Sequence, residues 1–261
     1  MAVKESVFKP EEGLFRIVET EESGRFVDSY LIVGERAALL VDTQRCENDL
    51  GEVVRSLTDK PLQVVITHAH PDHLGPATED FLRRKIPVWV FREEIELYAP
   101  LGDAALPVRC EKEYGLHFLD EGQVFDLGGT TLEIRSLGGH TPRAAMLLER
   151  EKGRLFSGDA MGNRSFWMQV DGAESLEKFA VQMGGFLAII KKIPGLKIYT
   201  GHGIGTESRD LAWAEAVLDA TEKILDGRCV GVPTESRWPN TLRLETPVFP
   251  EGYFYRSDNI R

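Results

Sequence analysis

The segment Thr67-His68-Ala69-His70-Pro71-Asp72-His73-Leu74-Gly75 places three imidazoles and a carboxylate within six residues. Imidazole nitrogens and carboxylate oxygens together suit zinc, and also iron or manganese. In an extended segment, residues two apart point to the same side, so His68 and His70 aim at one point. With a turn at Pro71, Asp72 and His73 aim at a second point nearby. The apolar, β-branched run Leu62-Gln63-Val64-Val65-Ile66 just before them reads as a buried strand. The end of such a strand is a rigid place from which to present ligands. The bland alternative is a polar loop whose histidines serve solvation or capping, and so dense a cluster behind a buried strand argues against it.

Further candidates stand at other strand ends. His140 lies in Leu137-Gly138-Gly139-His140-Thr141-Pro142, Asp159 in Leu155-Phe156-Ser157-Gly158-Asp159-Ala160, and His202 in Tyr199-Thr200-Gly201-His202-Gly203. Taken alone, each is an ordinary turn with a satisfied polar residue. Taken together, they repeat one pattern, a His or Asp beside glycine after a strand, and glycine lets the backbone approach a metal site closely. Metal-assisted chemistry is the activity this pattern points to.

The elements that must position these residues read as two similar halves. Phe15–Val18, Ser29–Val33 and Ala37–Val41 read as strands, with Gly34-Glu35 as a hairpin turn. Helical spacing of apolar residues predicts a helix over about Asn48–Leu57 and another near Pro76–Lys85, followed by a strand at Val88–Phe91. Short strands are expected at His117–Leu119, Gln123–Phe125, Leu132–Arg135, Ala145–Leu148 and Leu155–Phe156. Helices over about Ser175–Lys192 and Glu207–Asp226 flank a strand at Lys197–Tyr199. In the first of these, Leu176, Phe179, Met183, Phe186, Leu187 and Ile190 form one stripe. The Pro-rich, polar tail after Gly227 carries no clear pattern. Two facing sheets with helices outside, a four-layer α/β sandwich, would bury this arrangement economically, and periodicity alone leaves other architectures open.

Composition narrows the function classes. Of 261 residues, 42% are hydrophobic and 28% charged, the balance of a soluble globular protein. The net charge of −11 disfavours nucleic acid as a partner. The densest basic groups, Arg83-Arg84-Lys85 and Lys191-Lys192, read as solvated helix faces. No apolar run approaches a membrane span and no secretory core follows Met1, so no membrane association and a cytoplasmic location are expected. The three cysteines, Cys46, Cys110 and Cys229, lack any CxxC spacing and read as reduced thiols, with a minor role near the metals left open for Cys46.

The run from Val41-Asp42-Thr43 through HAHPDH, GHT and SGD to GHG resembles the metallo-β-lactamase superfamily, in the family's order and over most of the chain. The resemblance implies an αββα fold in a single domain over 1–261, with a C-terminal extension at about 228–261. It implies two divalent metal ions, zinc with iron or manganese as alternatives. By motif, His68, His70 and His140 match ligands of the first ion, Asp72, His73 and His202 those of the second, and Asp159 the carboxylate bridging both. Asp42 matches an acidic residue that orients ligands, and His117 matches no motif and reads as structural.

The activity implied is hydrolysis. Two metals about 3.5–4 Å apart share and activate a water, which attacks a carbonyl or phosphoryl centre. Asp72 orients that nucleophile and shuttles a proton to the leaving group. Asp159 as the bridging residue favours the hydroxyacylglutathione-hydrolase-like branch over true β-lactamases. The expected substrate is a small molecule, a thioester, lactone or other ester, with a phosphodiester as a further option. Ala160–Arg164 departs from a close hydroxyacylglutathione hydrolase, and no glutathione-gripping tail is recognisable. From another class, a sulfur dioxygenase with a single iron shares much of the ligand pattern. A flavodiiron carrier, a tRNase Z-like ribonuclease and a non-catalytic binding module fit less well. Arg143 and Arg164 are candidates to hold an acidic substrate group or to form surface ion pairs. Phe166-Trp167-Met168 is read as pocket wall or core, the Glu207–Asp226 helix and the tail as a cover over the metal edge. A homodimer is a habit of the family.

Overall fold

The computed structural model describes residues 4–20, 26–45, 49–203 and 207–261. Cys46 and Asn48 lie outside the described residues. The first half runs β1 (Lys4–Glu11), β2 (Leu14–Thr20), β3 (Phe26–Val33), β4 (Ala38–Val41), α1 (Leu50–Leu57), β5 (Leu62–Val65), α2 (Ala77–Arg83), β6 (Val88–Val90), α3 (Arg92–Glu96), a 3-10 turn at Ala99–Ala104, α4 (Leu106–Tyr114) and β7 (His117–Phe118). The second half runs β8 (Val124–Asp126), β9 (Thr131–Leu137), β10 (Ala144–Glu149), β11 (Arg154–Gly158), β12 (Ser165–Met168), α5 (Leu176–Ile190), β13 (Lys197–Thr200), α6 (Leu211–Leu225), β14 (Val232–Pro233), β15 (Thr241–Leu244) and β16 (Gly252–Arg256).

The first seven strands form one sheet in sequence order, and a second sheet has the order β13-β11-β10-β9-β8. Alternation along each strand divides its side chains between two cores. Leu39 and Val41 of β4 meet Ala145 and Leu147 of β10, Phe156 of β11 and Tyr199 of β13 between the sheets. Ala38 and Leu40 face the other way, onto Leu50 and Val54 of α1 and Phe81 of α2. Met146 and Leu148, Leu155 and Ile198 likewise face the stripe of α5 and Val217 and Ile224 of α6. The layers are therefore helix, sheet, sheet, helix, the αββα sandwich that the sequence suggests.

Local chemistry sets most boundaries. Asp49 caps α1 by accepting the Glu52 N–H at 2.9 Å, so the helix begins at Leu50. The later helix starts at Leu211 and not near Glu207, because Arg209 exchanges both backbone hydrogen bonds with Ile198 at 2.7 Å and Asp210 then caps the Trp213 N–H. The patternless tail is ordered by a third sheet, β12-β16-β15-β14, in which β16 runs parallel to β12. Phe249, Tyr253 and Tyr255 from the tail are buried in the same core as α5 and α6. The Leu176 and Glu177 N–H groups at the start of α5 donate to the carbonyls of Asn259 and Ile260.

Because Phe249 is fully buried among Phe166, Trp213 and Tyr253, truncation should leave a cavity that its neighbours cannot fill. Phe249→Ala is expected to lower stability by about 3–5 kcal/mol in a urea titration that keeps one transition. A loss under about 1 kcal/mol, or a separate early transition, would show the tail to be an appendage.

Candidate metal centre

The candidate side chains arrive from the ends of parallel strands. β4 and β5 are parallel in one sheet, β11 and β13 in the other. Their C-terminal ends carry Asp42, the His68–His73 segment, Asp159 and His202, and the β9–β10 connection supplies His140. Residues 71–73 form a turn, with the His73 and Leu74 N–H groups donating to the His70 carbonyl at 2.9 and 2.8 Å. The turn at Pro71 thus separates His68 and His70 from Asp72 and His73, as the spacing predicts.

All seven candidate ligands converge. His68, His70 and His140 offer ligand atoms within 4.8 Å of one another, as do Asp72, His73 and His202, and so do His68, His73 and Asp159. Asp159 lies between the first two groups, with its carboxylate oxygens 3.1 Å from His202 Nε2, 3.6 Å from His73 Nε2 and 3.8 Å from His140 Nε2. His117 stands apart, stacked on Trp89 with ring centroids 4.6 Å apart.

Hydrogen bonds behind the rings decide which nitrogen faces inward. Asp42, held at φ 63°, accepts from the Thr67 N–H at 2.7 Å, the Thr67 hydroxyl at 2.8 Å and His73 Nδ1 at 2.8 Å. Having donated its proton to Asp42, the Thr67 oxygen accepts from His68 Nδ1 at 3.1 Å. His140 Nδ1 donates to the Trp167 carbonyl at 2.6 Å. His68, His73 and His140 therefore all present Nε2 to the interior. His68 Nε2 and His73 Nε2 are buried without a hydrogen-bond partner, which is costly unless something else satisfies them. A divalent cation is chemically suited to do so, since imidazole nitrogens and carboxylate oxygens are the donors it takes.

The electrostatics divide the cluster. Burial and the neighbouring His140 push His70 down to about 3, and burial with its imidazole neighbours lowers His68 well below the usual histidine value. Burial would also lower His73 and His202, but the Asp159 carboxylate outweighs it, raising His73 well above its ordinary value and His202 to about 9. Burial alone would raise Asp159 and Asp72, but the His202 and His73 imidazoles prevail and hold both carboxyls low. The carboxylate half of the site thus demands positive charge, which protons on His73 and His202 or a cation can supply.

Close approach constrains the glycines here. A Cβ on Gly201 would lie 2.4 Å from Asp159 Oδ1 and 2.5 Å from His73 Cε1. Gly158 takes φ +50°, and a Cβ there would lie 2.5 Å from Thr67 Oγ1.

Supports invisible in the motifs tie the loops together. Glu94, fully buried in α3, accepts the Ala69 N–H at 3.1 Å and the Arg143 N–H at 3.0 Å, joining the His68–His70 loop to the His140 loop. Burial raises its carboxyl. Behind His202, the buried Asp28 accepts from Arg16 at 2.7 Å and from the Gly203 N–H at 2.5 Å, while its own N–H donates to Gly201 at 2.9 Å. Asn163 donates to the His202 carbonyl at 2.8 Å and accepts from Arg209. No short-range spacing marks these partners, because each pair lies far apart in the chain.

A cavity of about 490 Å³ opens on His70, Asp72, His140, Asp159 and His202. Trp167 and Trp238 line it, whereas Met168 is buried in the core and Phe166 is buried at the cavity wall. Arg164 lines it while pairing with Glu251. Arg143 instead pairs with Glu93 at 2.7 Å and lies 4.3 Å from the Phe91 ring centroid. Lining residues come from the tail and not from α6, which packs on α5. Among the described residues, no helix is long and apolar enough to cross a membrane.

The chain is similar in sequence and fold to several known proteins. The chain is 28% identical over 188 residues to a β-lactamase-like protein 2 homologue from Caenorhabditis elegans, covering 67% of this chain and 55% of that protein. It is 26% identical over 178 residues to a human acyl-coenzyme A thioesterase, covering 58% of this chain and 64% of that protein. The chain thus spans less than two thirds of the length of these relatives. Its fold matches a metallo-β-lactamase from Pontibacter korlensis with a TM-score of 0.64 at 20% identity, over 84% of this chain and 99% of the other. The family model for the metallo-β-lactamase superfamily matches residues 23–205, and the chain belongs to that superfamily.

Proposed function

We propose that the protein is a hydrolase dependent on two divalent metal ions, zinc in the first place, acting on a thioester or another ester. The observation that carries this reading is the pair of orphaned, buried nitrogens, His68 Nε2 and His73 Nε2, facing the Asp159 carboxylate. His68, His70 and His140 would hold one ion, Asp72, His73 and His202 the other, with Asp159 shared between them. When bound, such ions polarise the substrate's carbonyl and lower the pKa of a water to near neutrality. The thioester preference draws support from the human relative, whose name is that of an acyl-coenzyme A thioesterase.

The chain's own groups do the remaining work. Asp72 is partly open to the cavity, 3.8 Å from His202 Nε2, and its low pKa keeps it ionised at neutral pH. Its carboxylate orients the nucleophile, takes a proton from it and returns that proton to the leaving group. Trp167 holds His140 through its carbonyl while its ring faces the cavity. Glu94 keeps the loops of the first ligand group in register, and Asp42 fixes the tautomer of His73.

Elemental analysis of protein expressed in minimal medium is expected to give two equivalents of zinc, with thioester hydrolysis abolished by a chelator and restored by zinc. One iron per chain with oxygen uptake on a persulfide substrate would instead indicate a sulfur dioxygenase. Asp72→Ala should lose metal from the second group and reduce kcat on the order of 100-fold while its circular dichroism is unchanged; full activity would remove the proton-transfer role. Glu94→Gln sets an amide N–H against the loop N–H groups. It should lower stability by about 1–3 kcal/mol and weaken metal binding by roughly 10–100-fold in a competitive chelator titration. Unchanged metal affinity would show that Glu94 does not hold those loops for the metal.

A further inference from the structure

The cavity before the histidine–carboxylate cluster has walls that metal binding does not require. Trp167 remains 39% exposed on a strand whose Phe166 and Met168 are buried, and its carbonyl bond to His140 fixes it beside the cluster. Trp238, contributed by the tail, meets it edge to face with ring centroids 6.2 Å apart, and Phe254 does the same at 6.2 Å. The Arg237 guanidinium lies 4.0 Å from the Trp238 ring centroid. A flat apolar group seated on this aromatic corner would be removed from water and stack on an indole.

Charge gives the second clue. The chain carries −11 overall, yet outside the candidate ligands the charged residues lining the cavity are Arg45, Arg164 and Arg237 against Glu251. Glu251 is already held by Arg164. Arg237, beside the Trp238 ring on the cavity wall, is the cation that an anionic group of a ligand seated on that corner would meet.

Building on the hydrolase reading, we infer that the substrate is an ester or thioester with an aromatic or similarly flat apolar acyl group, seated on Trp167 and Trp238. It carries an anionic group, carboxylate or phosphate, that meets Arg237. Hydrolysis of the thioester breaks the acyl–sulfur bond, transfers the water oxygen to the acyl carbon and leaves a protonated thiol, so no other reactant is needed. Trp238 and Arg237 set specificity, and neither belongs to the motifs that mark the metal centre.

Binding separates this assignment from catalysis. The probes are a phenethyl thioether ending in a carboxylate and its phosphate counterpart, which lack any scissile carbonyl. Titration calorimetry on metal-free and zinc-loaded protein should show at least one of them bound, and the tighter one identifies the anion. Trp238→Ala and Arg237→Ala should each weaken that binding about tenfold, with Trp238→Phe restoring most of the loss. In turnover, the ratio of kcat/KM for a phenylacetyl thioester over an acetyl thioester should fall about tenfold in Trp238→Ala, with metal content retained. Equal affinities for wild type and both alanine variants, or a preference for the acetyl substrate, would overturn the assignment. Thioether binding without turnover of any thioester or other ester would remove the hydrolase reading and leave the pocket assignment standing. Acetyl thioester hydrolysis without thioether binding would remove the pocket assignment alone.

Discussion

The two sheets share an apolar core, and buried hydrogen bonds between their loops at one edge govern the rest of the structure. The Ala145 N–H donates to Thr67 across the sheets at 2.7 Å, the Asp28 N–H to Gly201 at 2.9 Å, and the Tyr30 hydroxyl to Thr200 at 2.8 Å. Each of these bonds joins a segment of one half of the chain to a segment of the other. For groups buried as these are, an unmade bond costs more than a made one contributes, so the loops have few alternative positions. That constraint brings seven metal-type donors into two adjoining groups with Asp159 between them.

Carboxylates carry much of this tie-work, and their roles differ by environment. Asp42 takes three donors at once and sets the tautomer of His73. Glu94 is buried with backbone N–H donors from both loops of the first ligand group. Asp28 faces the buried Arg16, yet burial still pushes its carboxyl up to about 6. Asp159 and Asp72 lie among imidazoles and stay ionised. An ionised pair facing inward and a supporting ring locked by backbone amides is the division of labour that a cationic centre requires.

What could be read in the sequence follows from range. The His68–His73 segment declares itself because its chemistry is local, and β4, β5 and β10 declare themselves because both faces are buried. Strand β1 carries no strand signal, since its charges and Pro10 break alternation, and only pairing with β2 reveals it. Helix α4 carries little helical signal either, as Cys110 and Pro107 give it a thin buried stripe. The tail strands are short and exposed at their edge, and their order comes from Tyr253 and Tyr255 reaching a core built by residues far earlier in the chain. Glu94, Asp28 and Trp238 are silent in the sequence for the same reason. Their partners are distant in sequence, and a lone Glu, Asp or Trp carries no spacing signal.

The proposed hydrolase requires a cation in each of the two ligand groups, with Asp159 between them. X-ray absorption at the zinc edge of the metal-loaded protein tests it most directly. The expected result is imidazole scattering together with a metal–metal distance of about 3.5–4 Å, the latter disappearing in Asp159→Ala. A shell of imidazoles with no metal–metal component at full loading would contradict it.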